Sequence, residues 1–232
     1  MISTLVAFLI LWIQSPLQGQ ISAIKLTYKI SVEAPEREKS DGLAGQTLFP
    51  DSVSVTYAAS GDYVLVPHDK GFQSRTVYNS DSNLIYTFQE GSLFVTAIDA
   101  GFDLEESRGL TPKVELTNDT ILINGAELLV VEVTWRTGKF KYFFKPDFLQ
   151  IDPQLFEKYK YDQWGKYLSL SGALPVRIEK VVYGSYTIVY DLISHTHEKY
   201  DEKIFELPAM QEVEGLGSVL MKKKVFKLVG TN

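Results

Sequence analysis

The chain has 232 residues, 45% of them hydrophobic and 12% aromatic, and a formal net charge of −6. That is enough for one β domain with a real core or two small ones, and the mild acidity argues against a nucleic-acid groove, which needs clustered Lys and Arg. Cysteine is absent, which excludes disulfides, thiolate catalysis, Cys-type zinc sites and lipid anchoring through an N-terminal cysteine, while leaving the redox compartment open.

Residues 1–19 read as a signal peptide: an apolar run from Leu5 to Ile13, then Pro16 and the small Gly19. The run has nine residues, too short for a membrane-spanning helix, which needs about 20. No Lys or Arg precedes it, and Leu17 is bulky for its place before Gly19. The expected product is exported to the periplasm or cell envelope. No later segment is long and apolar enough to cross a bilayer as a helix.

Residues 21–32 form a first strand, with Ile24, Leu26, Tyr28 and Ile30 at period two. A charged connection follows Glu33. Short, turn-punctuated strands come next at 52–58, 63–66, 73–78, 84–88 and 93–98, the signature of an antiparallel meander. After a polar link, strand patterning resumes at 113–116 and 120–123, and Asn124-Gly125 signals a tight turn. Residues 127–135 alternate, with Leu129, Val131, Val133 and Trp135 on one face. In 139–145, Phe140, Tyr142 and Phe144 oppose Lys139, Lys141 and Lys145, with Phe143 on the lysine side.

Residues 152–170 are the longest helical stretch. Asp152 can cap the first turn and Pro153 suits its first position. Leu155, Phe156, Tyr159, Tyr167 and Leu170 share one arc, with Trp164 at its border. Gly165 weakens the helix by about 1 kcal/mol against Ala, so it is short or broken there. Strands at 175–183 and 185–197 turn about Gly184, residues 204–208 make a short edge segment, and 211–232 form a C-terminal tail with three lysines, Lys222, Lys223 and Lys224. An antiparallel sheet of about ten strands should curl rather than stay flat. The expected fold is therefore mainly β: a curved sheet with a helix against its inner face.

The order of these elements resembles a known family. A Tyr-bearing first strand, a meander, an Asn-Gly turn into an apolar strand and an aromatic-lysine strand are followed by a helix. Leu174-Pro175-Val176-Arg177-Ile178-Glu179 and Lys203-Ile204-Phe205-Glu206-Leu207-Pro208 complete the series. Over roughly residues 21–210 this is similar to the LolA-like superfamily of bacterial envelope proteins, which includes lipoprotein-sorting proteins and the GLPGLI-type proteins of Bacteroidetes. In place of the Gly-Leu-Pro-Gly-Leu-Ile hexapeptide the chain has Gly172-Ala173-Leu174-Pro175-Val176-Arg177. The resemblance implies an incomplete, curved antiparallel β-barrel whose concave face holds acyl chains. Burial of such chains is worth about 0.8 kcal/mol per CH₂ and needs no catalytic group.

Candidate ligand-binding residues come from the pattern alone: Trp135, Tyr142, Phe144 and Trp164. Ordinary core packing is the competing account of each. The metal candidate is His195-x-His197, which strand alternation places on one face together with Asp191. A third ligand would come from His68 or a carboxylate, and a wet strand end explains the pair more simply. No nucleophile elbow or phosphate loop is present, so the reading is a non-catalytic protein with no cofactor and no nucleic acid. Its expected partner is a hydrophobic ligand or lipidated protein. The lysine-aromatic strand and tail lysines allow peripheral membrane contact at most. Two other functions stay open: a protein-interaction module without a pocket, and a hydrolase using a carboxylate pair. Short strands parted by charged turns argue against an outer-membrane barrel.

Overall fold

Alternating side chains build one sheet, and its register decides what faces inward. The computed structural model describes residues 20–33, 49–69, 74–123, 125–217 and 222–230. The signal peptide expected at 1–19, the charged connection beyond Glu33 and Asn124 of the Asn-Gly turn lie outside the described residues. The strands are β1 (Gln20–Glu33), β2 (Ser52–Ala58), β3 (Tyr63–Pro67), β4 (Ser74–Asn79), β5 (Leu84–Gln89), β6 (Phe94–Asp99) and β7 (Lys113–Ile123). They continue with β8 (Ala126–Thr134), β9 (Gly138–Phe144), β10 (Arg177–Val182), β11 (Thr187–Asp201), β12 (Met210–Glu212) and β13 (Lys224–Leu228). They form one curved, open antiparallel sheet in the order β12-β13-β6-β5-β4-β3-β2-β1-β11-β10-β9-β8-β7.

β1 lies mid-sheet, paired with β2 on one side and along its 14 residues with β11 on the other. Cross-strand partners carry one aromatic face from strand to strand. Tyr28 faces Val53, Tyr57 faces Tyr63, Tyr63 faces Tyr78, and Ile178 faces both Tyr142 and Tyr190. These side chains form the main core. The opposite face carries smaller clusters. Ala23, Ala58, Val64 and Val77 lie beneath Phe205, and Leu128 and Val130 pack with Phe143. The lysine-side position expected for Phe143 is thus an apolar patch of the outer face.

Two elements differ from the sequence reading. The stretch 152–170 is not one helix. Pro153–Phe156 and Tyr161–Gln163 are short 3₁₀ turns, and the α-helix α1 spans Trp164–Ser171. Asp152 does cap the first turn, accepting from the Gln154 N–H at 2.9 Å. The break falls at Asp162 and Gln163, which adopt left-handed φ values of 55° and 54°, ahead of the glycine expected to cause it. The chain beyond Met210 is also more than a tail, because β12 and β13 extend the sheet beside β6. Phe226 packs on Tyr86 with ring centroids 5.7 Å apart, which anchors the added hairpin. Two of the tail lysines pair within the protein, Lys222 with Asp99 at 3.1 Å and Lys224 with Glu212 at 3.0 Å.

Candidate functional site

The segment from Asp152 to Gly172 crosses the inner face as a lid, and its sequence explains both attachments. Proline opens the first turn and drives Phe156, fully buried, into a nest of Tyr57, Tyr78 and Tyr159 with centroid separations of 6.4, 6.0 and 6.3 Å. The Tyr159 hydroxyl bonds to that of Tyr63 at 2.7 Å. The Ala100 carbonyl then accepts from both Lys160 and Tyr161 N–H groups, at 2.7 and 2.9 Å. At the far end Tyr167 of α1 stacks on Tyr142 at 4.4 Å and donates to the Ala173 carbonyl at 2.7 Å. Gly172, at φ 60°, ends the helix, a left-handed position that favours glycine.

Between these attachments the lid stands off the sheet and leaves a cavity of about 330 Å³. Its walls include Val53, Val55, Leu65, Ile85, Ile98 and Ile178 from the sheet, ringed by Tyr28, Tyr57, Tyr63, Tyr142 and Tyr190, with Trp164 from the lid. Into this apolar lining come two charges. Lys180 Nζ lies 2.7 Å from Asp162 Oδ2, 4.6 Å from the centre of the Phe140 ring and 5.8 Å from that of Tyr190. Burial works against the lysine charge, but the facing Asp162 carboxylate and the Tyr190 and Tyr142 phenols beside it together hold the ammonium above its ordinary pKa. Tyr142 donates to the Asp162 carbonyl at 2.9 Å, which fixes the left-handed corner. A smaller hollow of about 280 Å³ adjoins the same corner, sharing Tyr161 and Asp162. A wider groove of about 570 Å³ lies around Arg177, Asp191 and Ile193, where Arg177 is paired with Asp191 at 2.7 Å and Glu179 at 2.9 Å.

Of the four aromatic candidates, Tyr142 and Trp164 line the cavity. Trp135 lines the smaller hollow, its indole N–H donating to Asp103 at 3.3 Å. Phe144 is 2% exposed and packs on Tyr167, with centroids 6.3 Å apart, as an ordinary core residue. The metal candidates part company. His195 and His197 share a face, with rings 6.3 Å apart and His195 edge-on to Phe148 at 5.0 Å. Asp191 points the other way, because β11 carries an extra residue. Thr27 pairs with Ser194 and Tyr28 with Leu192, leaving Ile193 as a bulge, and one inserted residue reverses alternation beyond it. His68 bonds to Ser54 Oγ at 2.7 Å. Among the described residues no group of three His, Asp or Glu side chains is placed to hold a metal ion.

Lys180 and Asp162 were the residues missed. A signal for Lys180 was present, since it sits two places after Ile178 on the core side of its strand, where an unpaired lysine would be costly. Nothing local marked Asp162 as its partner.

The tyrosines around the cavity give a pH prediction. Burial pushes Tyr28, Tyr57, Tyr63, Tyr142, Tyr159 and Tyr167 above the usual phenol range. Tyr78 is pushed up to about 12 by burial and then by the Asp62 carboxylate. In the unfolded chain these phenols ionise near pH 10, so above that the unfolded state holds fewer protons and stability falls. The contribution of Tyr78 is full below about pH 10 and is lost as pH climbs through about 12. Alkaline titration read by phenolate absorbance and circular dichroism should show these tyrosines ionising together with unfolding. Independent ionisation near pH 10 with the fold intact would contradict the burial argument.

Sheet, lid and cavity together define an open, curved antiparallel β-sheet protein with a roofed apolar chamber. No protein-family model matches the chain, and no curated protein does. Among solved structures, PNGF-II in two crystal forms matches with TM-scores of 0.43 and 0.44 at 12% identity, over 80% of this chain and 30% of that one. The chain therefore spans about 30% of the length of PNGF-II. A LolA superfamily protein from Nitrosomonas europaea matches with a TM-score of 0.34 at 10% identity, over 82% of this chain and 91% of that one.

Proposed function

We propose that this chain is a non-catalytic binding protein of the cell envelope that shelters one hydrophobic chain, free or carried by a lipidated protein, beneath its aromatic lid. The observation that carries this reading is the unfilled cavity of about 330 Å³ between lid and inner face. Chambers of roughly 300–1,000 Å³ are the usual size for small-ligand sites, so this one is at the lower end. At about 30 Å³ per water-sized group it holds on the order of ten methylenes, worth about 8 kcal/mol before the cost of association. That sum alone corresponds to a Kd of about micromolar, and the cost of association weakens it from there. A client with several acyl chains exceeds the room available, so one chain enters at a time.

The envelope location rests on the apolar run Leu5 to Ile13 with Pro16 and Gly19. Among the described residues no helix is long and apolar enough to cross a membrane. Uptake of the uncharged fluorescent probe N-phenyl-1-naphthylamine tests the binding. Wild type should enhance its fluorescence saturably. Leu65→Trp, which fills the chamber between Val55 and Thr76, should weaken uptake at least about tenfold while leaving the circular dichroism unchanged. Absence of uptake by the wild type, or equal uptake by the variant, would overturn the reading.

A further inference from the structure

We propose that the chamber selects a single-chain amphiphile with an uncharged, hydroxyl-bearing head group, and that Lys180 and Asp162 are the residues that read the head. This rests on the ligand-binding reading above. Both side chains line the cavity and are about a quarter exposed, at 24% and 25%, so they stand where apolar wall meets water. An alkyl chain in the tyrosine-ringed interior leaves its head at this pair.

The pair sets the head's charge. Lys180 and Asp162 already neutralise each other at 2.7 Å. An incoming carboxylate or phosphate would place a second negative charge beside Asp162, and an incoming ammonium a second positive charge beside Lys180. Either leaves one charge uncompensated against an apolar wall and only partly hydrated, where it is disfavoured. A hydroxyl meets neither objection. It can accept from one of the three ammonium N–H donors and donate to the carboxylate, of which Oδ2 takes the lysine. The lid corner is held in place to do this, because Tyr142 anchors the Asp162 carbonyl at 2.9 Å. A glycerol ester and an alkyl glycoside share this chemistry.

The test uses the full chain and calorimetric titration with four ligands of one chain length, each below its micelle-forming concentration: 1-monolaurin, dodecyl glucoside, laurate and dodecylammonium. At least one neutral ligand should bind at least about tenfold more tightly than either charged one, and which neutral head wins identifies the source. Equal binding of all four would leave the ligand-binding reading standing and overturn the head-group selection. Binding of none would overturn both.

Two variants add a readout that a purely structural ion pair would not move. Asp162→Asn leaves Lys180 without its counter-charge and should shift the preference towards laurate. Lys180→Met leaves Asp162 alone and should shift it towards dodecylammonium. Unchanged ranking in folded variants would overturn the assignment, and should either variant fail to fold, the wild-type ranking still decides.

Discussion

Gly165→Ala should destabilise the protein by about 2–3 kcal/mol, although alanine in a helix is worth about 1 kcal/mol more than glycine. The reversal comes from what surrounds the position. Gly165 is buried in the first turn of α1, its N–H donating to the Tyr159 carbonyl at 2.8 Å. An added methyl group would run into the carbonyl oxygens of Phe156 and Tyr159. Both obstacles are backbone, so no rotamer change relieves the clash and the lid must lift as a piece. Fluorescent-ligand uptake should weaken alongside the fall in urea midpoint. An alanine variant as stable as wild type would show that the two turns of the lid are not pressed together in solution.

Phe156→Ala should have the larger effect, a loss of about 3–5 kcal/mol. The ring is fully buried and touches Tyr57, Tyr78 and Tyr159, so it ties the lid to strands β2 and β4. Removing it leaves a void that the tyrosines cannot close without giving up the Tyr63–Tyr159 hydroxyl bond. Guanidinium unfolding would read the loss. A change below about 1 kcal/mol, the size of a surface substitution, would mean that the lid is not anchored there.

Much of the sheet was legible because one buried face imposes period-two alternation, and positions such as Phe140, Tyr142 and Phe144 carry that signal without ambiguity. What alternation cannot show is an insertion. Ile193 is a plausible strand residue in its own right, yet as a bulge it turns Asp191 away from His195 and His197. The lid was misread for a related reason. Leu155 to Leu170 satisfies helical spacing, but Asp162 and Gln163 take left-handed conformations that neither residue type announces. The ion pair at Asp162 and the buried ring of Phe156 hold the lid in that shape. The last strands escaped notice because three lysines precede Val225 and Phe226 and give the segment the look of a solvated end. Half of the candidate site was legible: Tyr142 and Trp164 line the chamber, whereas Lys180 meets Asp162 only when the lid folds over it.

The central place of β1 governs how the molecule must be assembled. Its partner on one flank, β2, follows closely in the chain, but Gln20 meets Asp201 on the other. While the chain emerges in order from the ribosome, that flank stays open as a bare row of amide and carbonyl groups. Folding should therefore stall at a half-sheet until synthesis is nearly complete, as long-range pairing is slow to form. The interval invites edge-to-edge sticking between nascent copies. A chaperone that shields the waiting strand should raise the yield.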